Sequence, residues 1–387
     1  MKKTIVLLPA LLLTLITYAQ PTTGISFKCL PYLQNMTTDG VTIMWLADKS
    51  CISYVLFGET AQLNQKEYAS HNGQIDANVP VQKIRLSGLT PGKTYYYQAV
   101  SKKINVYRAY NVEYGDSVVS QISSFTLPSH DLNTFSFLAF NDIHDKPAFI
   151  EDVCKKNPGF DFVCYNGDIL GDIYNEEQIL DGLCRPSALF FGNSKPFIYT
   201  RGNHETRGPE SRILNQYIDT PNGAFYYTFT WGNSCFIILD TGEDKSDTAA
   251  AYFGLADYDA YRTQQAEWLK TVTSSEQWKN AGHRIVCGHI PISQKNDGWH
   301  GSVDLQNKFL PILNQANVDL YICGHTHEPK LEKSGKNHNF TLVTGGGPTS
   351  YENGKDTTYI KVIISGSGLE VQLYSISGKL IDSYKIR

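Results

Sequence analysis

"FSFLAFNDIHD", residues 135–145, joins two unlike pieces. Residues 135–140 are an apolar run that reads as a buried strand. Asp142 and His144 follow at once, two positions apart. In an open α/β sheet, sites form beyond the carboxyl ends of the strands. One such pair means little unless other apolar runs end the same way. Four do. "FDFVCY" runs into Asn166-Gly167-Asp168, and "PFIYT" into Arg201-Gly202-Asn203-His204-Glu205. "RIVC" runs into Gly288-His289, and "VDLYIC" into Gly324-His325-Thr326-His327.

Five strand ends therefore carry Asp142, Asp168, Asn203 and five histidines to one place. A lone histidine of this kind reads as an ordinary core or loop residue; five apolar runs ending alike do not. Glycine beside four of the signatures lets the backbone turn sharply and the side chains crowd one point. Imidazole together with carboxylate suits borderline transition metals such as Zn, Fe or Mn. The ligand count exceeds one tetrahedral site, and two ions sharing a bridging carboxylate would use it.

Working outward, strand-like and helical stretches alternate from residue 134 onward. "PAFIEDVCKK", "NEEQILDGLC" and "TQQAEWLKTV" are the helical ones, an α/β layer pattern. The tail, "TTYIKVIISGSGLEVQLYSISGKLIDSYKI", returns to strands joined by Gly/Ser turns. Residues 24–127 read instead as short alternating strands of a β-sandwich. "LSGLTPGKTYYYQAV" is similar to the corner of a fibronectin type III sandwich, with Tyr95 or Tyr97 hydrogen-bonding back to the backbone. The polar stretch "PSHDLN", 128–133, is the junction. The expected fold is α/β (α+β): a fibronectin type III-like domain over 24–127, then an α/β sandwich over 134–387 with a dinuclear metal site at its strand ends.

The chain has 387 residues and a formal net charge of −4, with no basic block. Nucleic-acid binding by a charged surface is therefore not expected. "MKKTIVLLPALLLTLITYAQ" has a positive start, a short apolar stretch and a small-residue cleavage site after Ala19. It reads as a secretory signal peptide over 1–19, with export to the periplasm or medium of a bacterium and no membrane anchor in the mature protein. Eight cysteines, none in a CxxC pair, read as buried free thiols; Cys29 with Cys51 is the one pairing worth testing.

Asp-x-His, Gly-Asp, Gly-Asn-His-Glu, Gly-His and Gly-His-x-His stand here in that order. This resembles the calcineurin-like metallophosphoesterase superfamily over about 134–350. With "PYLQNMTTDGVTIMW" and "LTPGKTYYYQ" ahead of it, the chain is similar to purple acid phosphatases over nearly its whole mature length. The resemblance implies that Asp142, His144, Asp168 and His327 hold one metal, and that Asp168, Asn203, His289 and His325 hold the other. Asp168 bridges, and His204 sits over the substrate as a catalytic residue without binding metal. It implies hydrolysis of a small phosphorylated substrate by metal-bound hydroxide. A phosphomonoester is favoured; a phosphodiester or nucleotide, or an inactive surface-binding protein, are the alternatives.

One departure stands out. Purple acid phosphatases carry a tyrosine three residues after the Gly-Asp aspartate, and this chain has Gly171 there. Those enzymes also lack the histidine of Asp-x-His, so one ligand replaces the other and the tyrosinate colour is not expected. Around the core set, Asp172 and Asp145 are candidates for orienting His204 or a ligand histidine, and Glu205 reads as structural. Trp299 and His300, in "SQKNDGWHGSVD", are candidate substrate contacts. The long aromatic stretch 243–261 is a candidate wall. Gly345-Gly346-Gly347 lacks the Lys and Ser/Thr of a phosphate loop and reads as a tight turn near the site.

Overall fold

The apolar side chains of the runs that precede the polar signatures are buried. Every residue of the strands Phe162–Asn166, Phe197–Thr200 and Leu320–Cys323 is shielded from solvent, as expected of strands covered on both faces. The structure is a computed structural model that describes residues 24–347 and 357–386. The leader read at 1–19 lies outside them.

Two six-stranded mixed sheets form the larger part of the chain. The first runs in the order Phe197–Thr200, Phe162–Asn166, Thr134–Phe140, Thr358–Ser365, Gly368–Ser375, Leu380–Lys385. Its first three strands are parallel, and the tail adds three antiparallel ones. The second sheet places Ser234–Leu239, His283–Gly288, Leu320–Cys323 and Thr341–Thr344 parallel and side by side. Their inner faces share one core. Phe137 stacks on Phe162 with ring centres 4.7 Å apart and meets Phe236 of the facing sheet edge-on at 5.7 Å.

Helices cover the outer faces. Ala148–Lys156 and the helical stretch 176–192 pack on the first sheet. Tyr258–Thr273, His300–Lys308 and Leu310–Gln315 pack on the second. The five signature strands divide three and two between facing sheets, in keeping with the α/β sandwich expected from the sequence. Apolar runs disclose burial, but the choice of pairing partner is made by contacts far apart in sequence.

Residues 24–127 form a β-sandwich. A three-stranded sheet (Phe27–Thr37, Gly40–Ala47, Val81–Leu86) faces one built on Ser123–Thr126, Thr94–Arg108, Cys51–Gly58 and Gln65–Glu67. Trp45, Val55 and Phe125 lie in its core, which is continuous with that between the larger sheets. Tyr95 makes the corner bond, accepting from the Thr90 amide at 3.0 Å. Tyr97 instead donates to the Asn193 carbonyl at 2.8 Å and ties the sandwich to the following part of the chain. Tyr32 and Thr42 add bonds to Tyr217 and Asp219.

All eight cysteines are free and buried. The Cys29–Cys51 pairing does not form, because Cys29 packs among Tyr32, Met44 and Cys184 while Cys51 faces the Ser53 hydroxyl. Among the described residues no helix is long and apolar enough to cross a membrane.

Candidate metal centre

The loops that end the signature strands are strapped to one another. The amides of Asp142, His144 and Asp145 donate to the carbonyls of Gly167, Asp168 and Ile169 at 2.9–3.1 Å. Gly324 donates to His289, which brings the second sheet's two signatures together. Asn166 spans the sheets, its amide group donating to Gly288 and Ile322.

Five of the seven candidate ligands adopt left-handed backbone: Asp142 (+53°), His144 (+47°), Asp168 (+52°), His325 (+69°) and His327 (+53°). Such conformations cost about 1–3 kcal/mol each and persist only where the surroundings enforce them. The role expected of the glycines changes accordingly. Among the four beside the signatures only Gly167 has positive φ. The others are needed for closeness: a Cβ at Gly202 would strike the Asp168 carboxylate, and one at Gly324 that of Asp142. Gly345 and Gly347 pack in the same way on Asn141 and Asp142 and form no phosphate cradle.

The side chains gather into three overlapping groups: Asp142 with His144 and His327, Asp142 with Asp168 and His289, and Asp168 with His144 and His204. Asp168 Oδ2 lies 3.1 Å from His289 Nε2 and 3.9 Å from His144 Nε2. Asp142 Oδ1 lies 3.4 Å from His327 Nε2 and 3.8 Å from His289 Nε2. Asn203 Oδ1 and His325 Nδ1 are 3.0 Å apart. His325 belongs to none of the three groups.

Whether this set suits metal ions is decided by its lone pairs. His289 Nδ1 donates to the Asn166 carbonyl at 3.1 Å, which fixes the tautomer and turns Nε2 toward the carboxylates. Nε2 of His289 and of His144 are buried without a hydrogen bond among the described residues; the 3.1 Å approach to Asp168 is not aligned as one. Burial lowers both His144 and His325 to about 4, so both rings are neutral at neutral pH, as ligands must be. Burial raises Asp142 to about 8, with the Asp168 carboxylate adding to it. Burial alone would raise Asp168 too, but His289 and the other rings hold it well below the usual carboxylate range. His289 is pulled down by burial and pushed up further by Asp168 and Asp142, to about 10. The cluster thus draws positive charge to its centre, and the donor set fits transition-metal ions.

His204 donates its backbone amide to Asp168 Oδ1, and its Nδ1 faces Asp172 Oδ1 at 3.1 Å. Asp172 therefore fills the orienting role. Asp145 accepts instead from the Gly171 amide. Glu205 is a buried clamp: it accepts from the amides of Asp168, Ile169, Leu170 and Gly202 and from the Tyr199 hydroxyl. Tyr165 spends its hydroxyl on Ser187.

The cluster opens into a pocket of about 510 Å³ whose wall includes Trp299, Lys245 and Arg207. His300 is not part of it. As the first residue of the helix His300–Lys308, it turns its ring to Asp259 at 2.8 Å. Sequence reasoning missed Arg207, which Glu243 grips at 2.7 and 2.8 Å and whose Nη1 lies 3.4 Å from His204 Nε2. Its position three residues after His204 carried no signal of its own.

The profile of the calcineurin-like phosphoesterase family matches residues 135–329. Purple acid phosphatase 3 of Arabidopsis thaliana is 23% identical over 332 residues, covering 76% of this chain and 88% of that one. Serine/threonine-protein phosphatase CPPED1 of Mus musculus is 22% identical over 59% of this chain and 72% of its own. Among solved structures, a purple acid phosphatase from yellow lupin (Lupinus luteus) seeds superposes with a TM-score of 0.66 at 15% identity, covering 94% of this chain and 74% of that one. PhoD superposes at 0.62 and 12% identity, covering 95% and 94%.

Proposed function

The chain belongs to the calcineurin-like phosphoesterase family and is a metal-dependent phosphoric ester hydrolase; from that premise we propose that it is an exported phosphomonoesterase with two transition-metal ions, Fe, Mn or Zn. In this reading Asp142, His144, Asp168 and His327 hold one ion, and Asp168, Asn203, His289 and His325 the other. The observation that carries it is Asp168 Oδ2, which faces the Nε2 atoms of both His144 and His289, at 3.9 and 3.1 Å. Trp299 remains a candidate substrate contact. The domain boundary falls in 128–133, between a sandwich over 24–127 and a catalytic domain over 134–387. Export rests on the leader-like residues 1–19.

When bound, two such ions supply charge neutralisation at phosphorus and a nucleophile at neutral pH. The chain's own residues do the rest. Asn203 is an uncharged donor and limits the negative charge facing an anionic substrate. His204, held through Nδ1 by Asp172, presents Nε2 to the pocket and gives a proton to the departing alcohol oxygen. Glu205 keeps Asp168 and Asn203 in register by holding the backbone on both sides.

Metal analysis of the purified full chain, with hydrolysis of 4-nitrophenyl phosphate and of its bis-ester on the same sample, tests this reading. Two ions per chain and a faster monoester are expected. A faster bis-ester would make the protein a diesterase. A metal-free sample inert to both would make it a binding protein.

A further inference from the structure

A second hollow is roomier than the metal pocket. A cavity of about 880 Å³ lies beside it, and the two share Arg207 as a wall. The metal pocket is polar: apart from Trp299 its lining is charged or hydrogen-bonding. The neighbouring cavity is aromatic. Phe225, Tyr226, Tyr252, Tyr258 and Tyr261 line it, all half-buried. Phe253 and Leu255 stand at its rim 89% and 73% exposed. They belong to the long stretch 243–261, whose purpose the metal chemistry leaves unexplained.

Exposed apolar side chains gathered around a concave surface mark a place for a ligand. The cations agree with a planar one. Arg201 already stacks on Phe225, its guanidinium carbon 4.3 Å from the ring centre. Arg212 lines the cavity and has no ion-pair partner among the described residues. Its flat guanidinium is suited to lie against an aromatic face.

Resting on the phosphoesterase reading above, we infer that this cavity seats the organic part of the substrate, a planar aromatic group carried on a spacer from the phosphoryl group. The phosphoryl group occupies the metal pocket. The spacer crosses Arg207, whose guanidinium is held by Glu243 and forms the sill between the two hollows. The aromatic group lies among the tyrosines and Phe225.

Adenosine 5′-monophosphate and ribose 5-phosphate test this, because both lose the same primary alcohol oxygen and differ by the base alone. Stacking of a base on protein aromatics gives a preference of about tenfold or more. The metal-loaded full chain is therefore expected to show that preference in kcat/KM for the adenosine ester. Phe253→Ser with Leu255→Ser should reduce the ratio toward one and leave ribose 5-phosphate unchanged. A wild-type ratio near one, or a preference that survives the double substitution, overturns the inference. Calorimetric binding of the two compounds separates this from the activity. If neither is cut, but the adenosine ester binds more tightly and the double variant loses that margin, the phosphoesterase reading falls and the cavity stands. Equal binding overturns the cavity.

Discussion

The Oδ2 atom of Asp168 lies 3.1 Å from His289 Nε2 and 3.9 Å from His144 Nε2, and neither nitrogen has a hydrogen bond among the described residues. One carboxylate oxygen thus faces two ring nitrogens, and in the proposed reading it is the atom the two ions share. Asp168→Asn keeps the shape and removes the charge. It should lower metal content at both sites and cut activity more than ~100-fold, since even outer-shell changes cost ~10–100-fold. Circular dichroism should stay native. Full metal content with a near-native rate would end the bridging assignment.

Glu205 accepts five hydrogen bonds, from four backbone amides in two segments and one tyrosine hydroxyl, all out of water. Glu205→Ala leaves those donors unmatched, at about 1–3 kcal/mol for each buried one that finds no new partner. Stability should fall by more than about 3 kcal/mol, read from denaturant unfolding, and metal affinity should fall with it. An unchanged unfolding midpoint would show that Glu205 is dispensable to the loops.

In the proposed reading His204 protonates the leaving group, with its Nδ1 held 3.1 Å from Asp172 Oδ1. General-acid help is typically ~10²–10⁴-fold and matters most for basic leaving groups. His204→Ala should keep its metals and lose far more rate on an alkyl phosphate than on 4-nitrophenyl phosphate. Asp172→Asn should show the same selectivity in weaker form. Equal losses on both esters would assign His204 to stabilising charge on phosphorus, and lost metal would make it a ligand.

In the metal-free protein Asp142 is raised to about 8, by burial first, and His289 to about 10 by Asp168 and Asp142 against burial. Both values lie above neutral pH, so each group holds a proton there that an incoming cation displaces. Metal uptake should release protons, and apparent affinity should weaken as pH falls from the alkaline side. Calorimetry of Zn²⁺ uptake in two buffers of different ionisation enthalpy counts those protons. A heat independent of buffer contradicts the expectation.

Gly171 stands where a purple acid phosphatase has its tyrosine, and the Asp145 carboxylate already fills the space beside it. Iron-loaded protein should therefore lack a tyrosinate band in the visible. A strong band abolished by Tyr174→Phe or Tyr165→Phe would reveal a substitute ligand.

The sequence by itself determined the list of candidate donors. Asp142, His144, Asp168, Asn203, His289, His325 and His327 each follow an apolar run, and such patterns depend on residues a few positions apart. It also carried the division into a sandwich and a following α/β part, because strand and helix periods differ locally. Tertiary structure alone decided what depends on pairs distant in the chain. It divided the five strands between two sheets and fixed the His289 tautomer on the Asn166 carbonyl. It made Glu205 a clamp, gave Arg207 to Glu243 and turned His300 away to Asp259. It also folded the stretch 243–261 around a cavity. A side chain's direction is set by what packs beside it, and those neighbours come from strands and loops that no local window of sequence contains.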